Sequence, residues 1–177
     1  MTFKIITLGC KVNQYESQAM TQALLAAGFA PALPGEHAGL VVVNSCTVTA
    51  QSDHKVRQAL RRARRENPQA VTVLTGCMPQ AFPDAAALTG ADIVLGNTNR
   101  KSLVPHVQEF LASRKRCVDV VPHVSGEPFE ALRVEEFHGR TRAFLKIQDG
   151  CDRFCAYCII PYARGRARSK PLADVAE

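Results

Sequence analysis

The chain has 177 residues, of which 46% are hydrophobic and 6% aromatic, with no Trp. That apolar content supports a real core and argues against disorder, and the aromatic-poor balance favours an α/β protein over a sandwich. The formal charge of +6 points towards an anionic partner such as nucleic acid only as a prior. No window is long and apolar enough to span a membrane, and MTFKIITLGCKVNQ lacks the parts of a signal peptide.

Thr2 to Leu8 predicts a buried strand. Asn13, with Glu16 three residues on, reads as a capping box opening a helix, which Gly28 closes. Gly39 to Cys46 is a second buried strand. A long helix is expected from about Thr49 to Glu66, stopped by Asn67-Pro68. Ala70 to Cys77 is the third strand, followed by a short helical piece from Pro79 to about Leu88 and a strand over Ala91 to Gly96. Asn97 to Asn99 offer N-caps for a helix running to about Ser113. Lys115 to Val121 could add an edge strand.

Apolar runs in this strand–helix alternation predict a parallel sheet covered on both faces. The expected fold class is a doubly wound α/β domain over residues 1–121. Residues 122–140, with Pro122, Gly126, Pro128 and Gly139 among mixed charges, read as a linker. Thr141 to Gly150 predicts a new strand, Tyr162 to Pro171 reads as basic and irregular, and PLADVAE could begin a helix. Residues 141–177 thus read as the start of a second domain.

There are seven cysteines. In a cytoplasmic protein, which is the expectation here, they stay reduced and serve as metal ligands, catalytic groups or core fillers. Three of them end the first three core strands alike: LGC at Cys10, NSC at Cys46 and TGC at Cys77. A small residue (Gly9, Ser45, Gly76) precedes each. The carboxyl ends of parallel strands lie along one edge, where ligands bind, so these thiols should converge. Taken singly, each could be a small buried side chain. Together they suit a metal site. Zinc would want a fourth Cys or His, and His37 and His54 are not at strand ends. An iron–sulfur cluster with one iron free of protein ligation would accept three.

The second trio, Cys151, Cys155 and Cys158, lies in one loop with C-x3-C-x2-C spacing. Core packing is a poor account of three cysteines in a turn. A thioredoxin-like pair, a haem-attachment motif and a zinc ribbon each lack a required residue. Three thiolates at this spacing can wrap three corners of a cubane and leave the fourth iron for the amino and carboxylate groups of S-adenosylmethionine. Cys117 fits neither trio and reads as a packing residue.

CDRFCAYC resembles the C-x3-C-x-aromatic-C signature of radical S-adenosylmethionine enzymes, and the three upstream cysteines resemble the N-terminal domain of the methylthiotransferases. LGCKVNQYES and GCDRFCAYCIIPYARGRARS look most like the branch that modifies threonylcarbamoyladenosine in tRNA. The resemblance implies two 4Fe-4S clusters. Cys10, Cys46 and Cys77 would bind an auxiliary cluster, and Cys151, Cys155 and Cys158 the one that holds S-adenosylmethionine. Tyr157 would help position the adenine of that cofactor. A 5′-deoxyadenosyl radical would take hydrogen from C2 of the adenine base, and a methylthio group would replace it. The family's radical domain is a partial (β/α) barrel, so the chain should carry only its first strand and cluster loop and be inactive alone. The implied partners are tRNA and an electron donor such as a flavodoxin or ferredoxin, with a monomer expected.

Arg57, Arg61, Arg64 and Arg65 are expected on the face of the second helix opposite Val56 and Leu60, as a solvated face or as phosphate contacts. Arg164, Arg166, Arg168 and Lys170 follow the cluster loop, and the three arginines are candidates for RNA or substrate contact. Two other substrates remain open: isopentenyladenosine in tRNA and a ribosomal-protein aspartate. A reading from another class is a non-catalytic iron–sulfur or zinc module that binds nucleic acid or senses redox state.

Overall fold

The computed structural model describes residues 1–130, 132, 134 and 144–176. Its centre is a six-stranded sheet in the order β2-β1-β3-β4-β5-β6, with every pairing parallel. The strands are β1 (Thr2–Thr7), β2 (Ala30–Pro31), β3 (Leu40–Ser45), β4 (Val71–Gly76), β5 (Ile93–Leu95) and β6 (Cys117–Asp119). The helices of this part are α1 (Lys11–Ala26), α2 (Ala50–Glu66), α3 (Cys77–Ala81), α4 (Pro83–Ala87) and α5 (Leu103–Ser113), with a 3-10 turn at Arg100–Ser102 before α5.

The apolar runs split by strand period into two cores. Leu40 and Val42, Val71 and Val73, and Ile93 and Leu95 face α1 and α5, meeting Met20, Leu24, Leu103 and Val107. Val43, Leu74 and Val94 point the other way, onto Val56 and Leu60 of α2 and Met78 and Ala86 of α3 and α4. Each fully buried Leu or Val side chain contributes about 1.5–3 kcal/mol, so both faces must be covered. That is the expected doubly wound sheet.

The chain leaves β1 outward to β2 and returns past β1 to β3. Strand order therefore reverses between β1 and β3, and the carboxyl ends that flank such a switch point are the usual ligand position in sheets of this kind.

Past the sheet, the expected strand over Thr141–Gly150 is shorter. Residues 141–143 lie outside the described residues, and the strand is β7 (Gln148–Asp149) alone. It pairs antiparallel with β8 (Arg168–Ser169). Lys146 and Asp149 turn inward to bury their charges, while Leu145 and Ile147 are exposed. The basic stretch expected to be irregular forms α6 (Ile160–Arg164) and β8, and α7 (Leu172–Ala176) follows.

Candidate metal centre

Cys10, Cys46 and Cys77 all stand at the carboxyl edge. Cys10 is the N-cap of α1, Cys46 follows β3 directly, and Cys77 opens α3. The register sets Ser45 beside Gly76, so Cys46 and Cys77 leave neighbouring strands at the same level. Cys46 and Cys77 are buried and Cys10 is exposed.

The small residue before each thiol has a structural reason. Gly9 and Gly76 have φ of 104° and 100°, a region that L side chains rarely adopt. A Cβ on Gly9 would fall 2.6 Å from Cys46 Cβ and 2.8 Å from its Sγ. One on Gly76 would fall 2.5 Å from the Ser45 carbonyl oxygen. Ser45 donates to the Thr75 carbonyl at 2.6 Å and accepts from the Met78 N–H at 3.2 Å, tying β3 to the turn that carries Cys77.

Two asparagines brace these thiols. Asn13 is fully buried, and its amide donates to the carbonyls of Leu8 (2.9 Å) and Ser45 (2.8 Å), clamping β1 to β3 across the switch point. Its Oδ1 accepts from Cys10 Sγ at 3.4 Å and from Arg164 Nη2 at 2.7 Å. Asn97 donates to Cys77 Sγ at 3.7 Å and to the Ala163 carbonyl at 2.6 Å. The expected capping roles are corrected accordingly. Cys10 and Ser102 occupy the N-cap positions, neither with a side-chain cap bond. Asn99 does stand at the N-cap of the 3-10 turn that runs into α5, without a side-chain cap bond, and its amide reaches Asp119.

Glu16, read as the partner in that capping box, is instead the hub of a buried ionic cluster. Its carboxylate meets Arg164 Nη1 at 2.8 Å, Lys146 Nζ at 2.9 Å and Arg100 Nη2 at 3.0 Å. Asp149 binds Lys146 at 2.6 Å and Arg164 at 3.1 Å, and Glu130 lies 3.3 Å from Arg100. Three cations thus face three carboxylates; Glu16 and Asp149 are met by opposite charge, whereas both oxygens of Glu130 are buried without a hydrogen bond and burial raises its carboxyl above the ordinary value. Burial acts to raise Glu16, but Arg100, Arg164 and Lys146 outweigh it and hold the carboxyl well below its ordinary range. Burial likewise acts to raise Asp149, and Arg164 and Lys146 bring it down. Burial would lower Arg164, but Glu16 and Cys77 keep it well above the usual guanidinium value. Burial pushes the Cys77 thiol up, against the pull of Arg164.

The second trio begins two residues after β7, past Gly150. The Cys151 N–H donates to the Gly165 carbonyl at 3.1 Å, and the Cys158 N–H to the Cys155 carbonyl at 2.9 Å. Cys155 is exposed, and Cys151 and Cys158 are half-buried. Phe154 sits at φ 47°, its ring edge-on to Tyr162 with centroids 6.0 Å apart and Arg166 over it at 5.4 Å. Tyr157 is 92% exposed at the loop surface. The loop feeds α6, which packs on α3 and so on the element that Cys77 opens.

The three arginines expected at RNA or substrate fall in different places. Arg164 is buried, its guanidinium bonded to Glu16, Asp149 and Asn13. Arg168 pairs with Glu127 and donates to the Arg164 carbonyl. Arg166 is solvent-exposed, 3.7 Å from Asp152. On α2 the basic residues do not share one face. Arg64 reaches back to the carbonyls of Thr89 and Gly90, whereas Arg61 and Arg65 line a groove of about 680 Å³ with Lys4, Lys55 and Ile6. Cys117 is the first residue of β6 and half-buried.

Among the described residues no three His, Cys, Asp or Glu side chains are gathered to hold a single metal ion. The donor set at the edge is all thiol, one from each of three strand ends. That chemistry suits a thiolate-bound iron–sulfur cluster, whose ligands sit on separate irons.

An α/β sheet with thiols at its switch point and a second three-thiol loop beside them defines a class of cysteine-rich module, and comparison with known proteins places it. The model of uncharacterized protein family UPF0004 matches residues 2–96, more than half of the chain, and the chain belongs to that family. It is 42% identical to the threonylcarbamoyladenosine tRNA methylthiotransferase MtaB of Bacillus subtilis, over 96% of this chain and 38% of the relative. It is 41% identical to the protein of that name from Thermotoga maritima, over 97% of this chain and 38% of the relative. It is 31% identical to the tRNA-2-methylthio-N(6)-dimethylallyladenosine synthase of Pelotomaculum thermopropionicum, over 99% and 40%. The chain therefore spans about two fifths of the length of these relatives. The resemblance to methylthiotransferases carried by the cysteine motifs is borne out.

Proposed function

We propose that the chain supplies the two iron–sulfur sites of a tRNA methylthiotransferase acting on threonylcarbamoyladenosine. Cys10, Cys46 and Cys77 hold the auxiliary cluster, and Cys151, Cys155 and Cys158 hold the cluster that binds S-adenosylmethionine. The observation that carries this reading is spatial: three strand-end thiols stand at the switch point, and the second three-thiol loop is tied to the same edge by Arg164 and Asn97. The nucleoside follows the names of the Bacillus and Thermotoga relatives.

When bound, the clusters and S-adenosylmethionine supply radical and sulfur-transfer chemistry. The chain's own residues position it. Asn13 fixes β1 against β3 and so sets Cys10 beside Cys46. Asn97 offers an N–H to Cys77, and such hydrogen bonds to ligating sulfur tune a cluster. Tyr157, exposed beside Cys158, would help position the adenine of the cofactor through its backbone. Exposed Arg166 remains the candidate for contact with RNA. An electron donor of the flavodoxin or ferredoxin kind is the expected redox partner.

Anaerobic reconstitution followed by iron, sulfide and zinc analysis tests the reading. About eight irons per chain is the expected result, falling by half when Cys10, Cys46 and Cys77 are replaced by Ala. Zinc without iron would overturn it. Nucleoside mass spectrometry of tRNA from cells lacking the gene tests the substrate.

A further inference from the structure

The ionic cluster around Glu16 joins parts of the chain that are far apart in sequence. Arg164 lies 148 residues from Glu16 and 151 from Asn13, yet its guanidinium touches both. Lys146 lies 130 residues from Glu16. Every one of these side chains is buried. The two ends of the link are not arbitrary. Asn13 and Glu16 belong to the first two turns of α1, whose N-cap is Cys10. Arg164 closes α6, the helix that follows Cys158, and Lys146 and Asp149 lie just before Cys151.

The Cys151–Cys158 loop is thus gripped on both flanks by one carboxylate on α1. A guanidinium fork suits this task better than an ammonium. It binds Glu16 through both of its terminal nitrogens, at 2.8 and 3.2 Å, and still reaches Asp149 and Asn13. The same buried cation stands one side chain from the thiol edge: its Nη2 and Cys10 Sγ both donate to Asn13 Oδ1, at 2.7 and 3.4 Å.

We propose that Arg164 is a positioning residue with two effects: it registers the Cys151–Cys155–Cys158 loop against the Cys10–Cys46–Cys77 edge, and its charge would favour the reduced state of a cluster held by the thiolates at that edge. The registering effect concerns protein alone. The electronic effect rests on the cluster reading above. A buried positive charge beside a cluster favours the added electron, so removing it moves the midpoint potential down.

The test compares Arg164→Met and Arg164→Lys. In iron-free protein, hydrogen exchange at β7 and α6 should speed by roughly tenfold or more in Arg164→Met while β3 and β4 stay protected. For the electronic effect, both substitutions are made in protein whose Cys151, Cys155 and Cys158 are Ala, leaving the edge thiols as the one cluster site. The potential of that cluster should become more negative in Arg164→Met and return most of the way in Arg164→Lys, which keeps charge and loses the fork. If Arg164→Met does not fold, Arg164→Gln, which removes the charge and keeps hydrogen-bond donors, takes its place in both measurements with the same outcomes deciding. Unchanged exchange overturns the registering role. Iron loaded normally with an unchanged potential in Arg164→Met overturns the electronic role. Protein that takes up no iron refutes the cluster reading itself and leaves exchange to decide the registering role.

Discussion

Gly76 closes β4 at φ 100°, with the Ser45 carbonyl and N–H and the Asn44 side chain crowding the place where a Cβ would go. Two penalties would follow from Gly76→Ala: left-handed strain of about 1–3 kcal/mol and a clash with the backbone of β3. Gly28→Ala offers the control, since Gly28 has φ 84° but open space around it. We expect Gly76→Ala to lower the melting temperature clearly more than Gly28→Ala, at roughly 2–4 °C per kcal/mol for a chain of this size. Equal losses would mean that the close approach of β3 and β4 at the thiols does not constrain residue 76. The small residue before each cysteine is visible in the sequence, but its cause is not: the neighbour it makes room for lies on another strand.

At the scale of elements, strands and helices of the sheet were legible because their signals are local. Val41, Val42 and Val43 form an apolar run that only a doubly covered strand explains. Thr49 caps α2 through its hydroxyl, accepting from the Ser52 N–H, as a helix start there requires. The same local reading misassigned Asn13 and Glu16, since Asn-x-x-Glu before a helical pattern looks like a capping box whatever lies above it. Their true partners, Arg164 and Lys146, carry no periodicity that points to α1. β8 was hidden for the same reason, its two residues being a strand only because Gln148 and Asp149 pair with them. Where the signal is local, its energetic reading should hold. Leu74 is fully buried between β4 and α2. Leu74→Ala should cost about 2–5 kcal/mol, read as a shift in denaturation midpoint at constant slope. A cost below 1 kcal/mol would show that this layer is not packed as described.

At the scale of the whole molecule, the Glu16 cluster makes the docking of residues 144–164 onto the sheet depend on pH. Glu16 and Asp149 are held below their ordinary values of 4.5 and 3.8. In that window the unfolded chain binds protons that the folded chain refuses, so stability is full above about pH 5 and falls as the pH drops through the folded values. His123 acts in the same direction but earlier. Burial lowers it from 6.5, so the unfolded imidazole charges first as pH falls. Glu130 opposes both, because burial raises it above 4.5 and the folded state takes its proton sooner. The carboxylate hub should dominate below pH 4.5, where two depressed groups stand against one raised group. Replacing Glu16 by Gln removes the titration and leaves three buried cations short of a partner, a loss of about 3–5 kcal/mol at pH 7. Denaturant titrations at pH 7, 4.5 and 3 should therefore show the parent losing stability mainly between 4.5 and 3, and Glu16→Gln starting lower and losing less. Parallel pH profiles for the two proteins would mean that Glu16 is not the ionised centre of the cluster, and that the cations around it are balanced elsewhere.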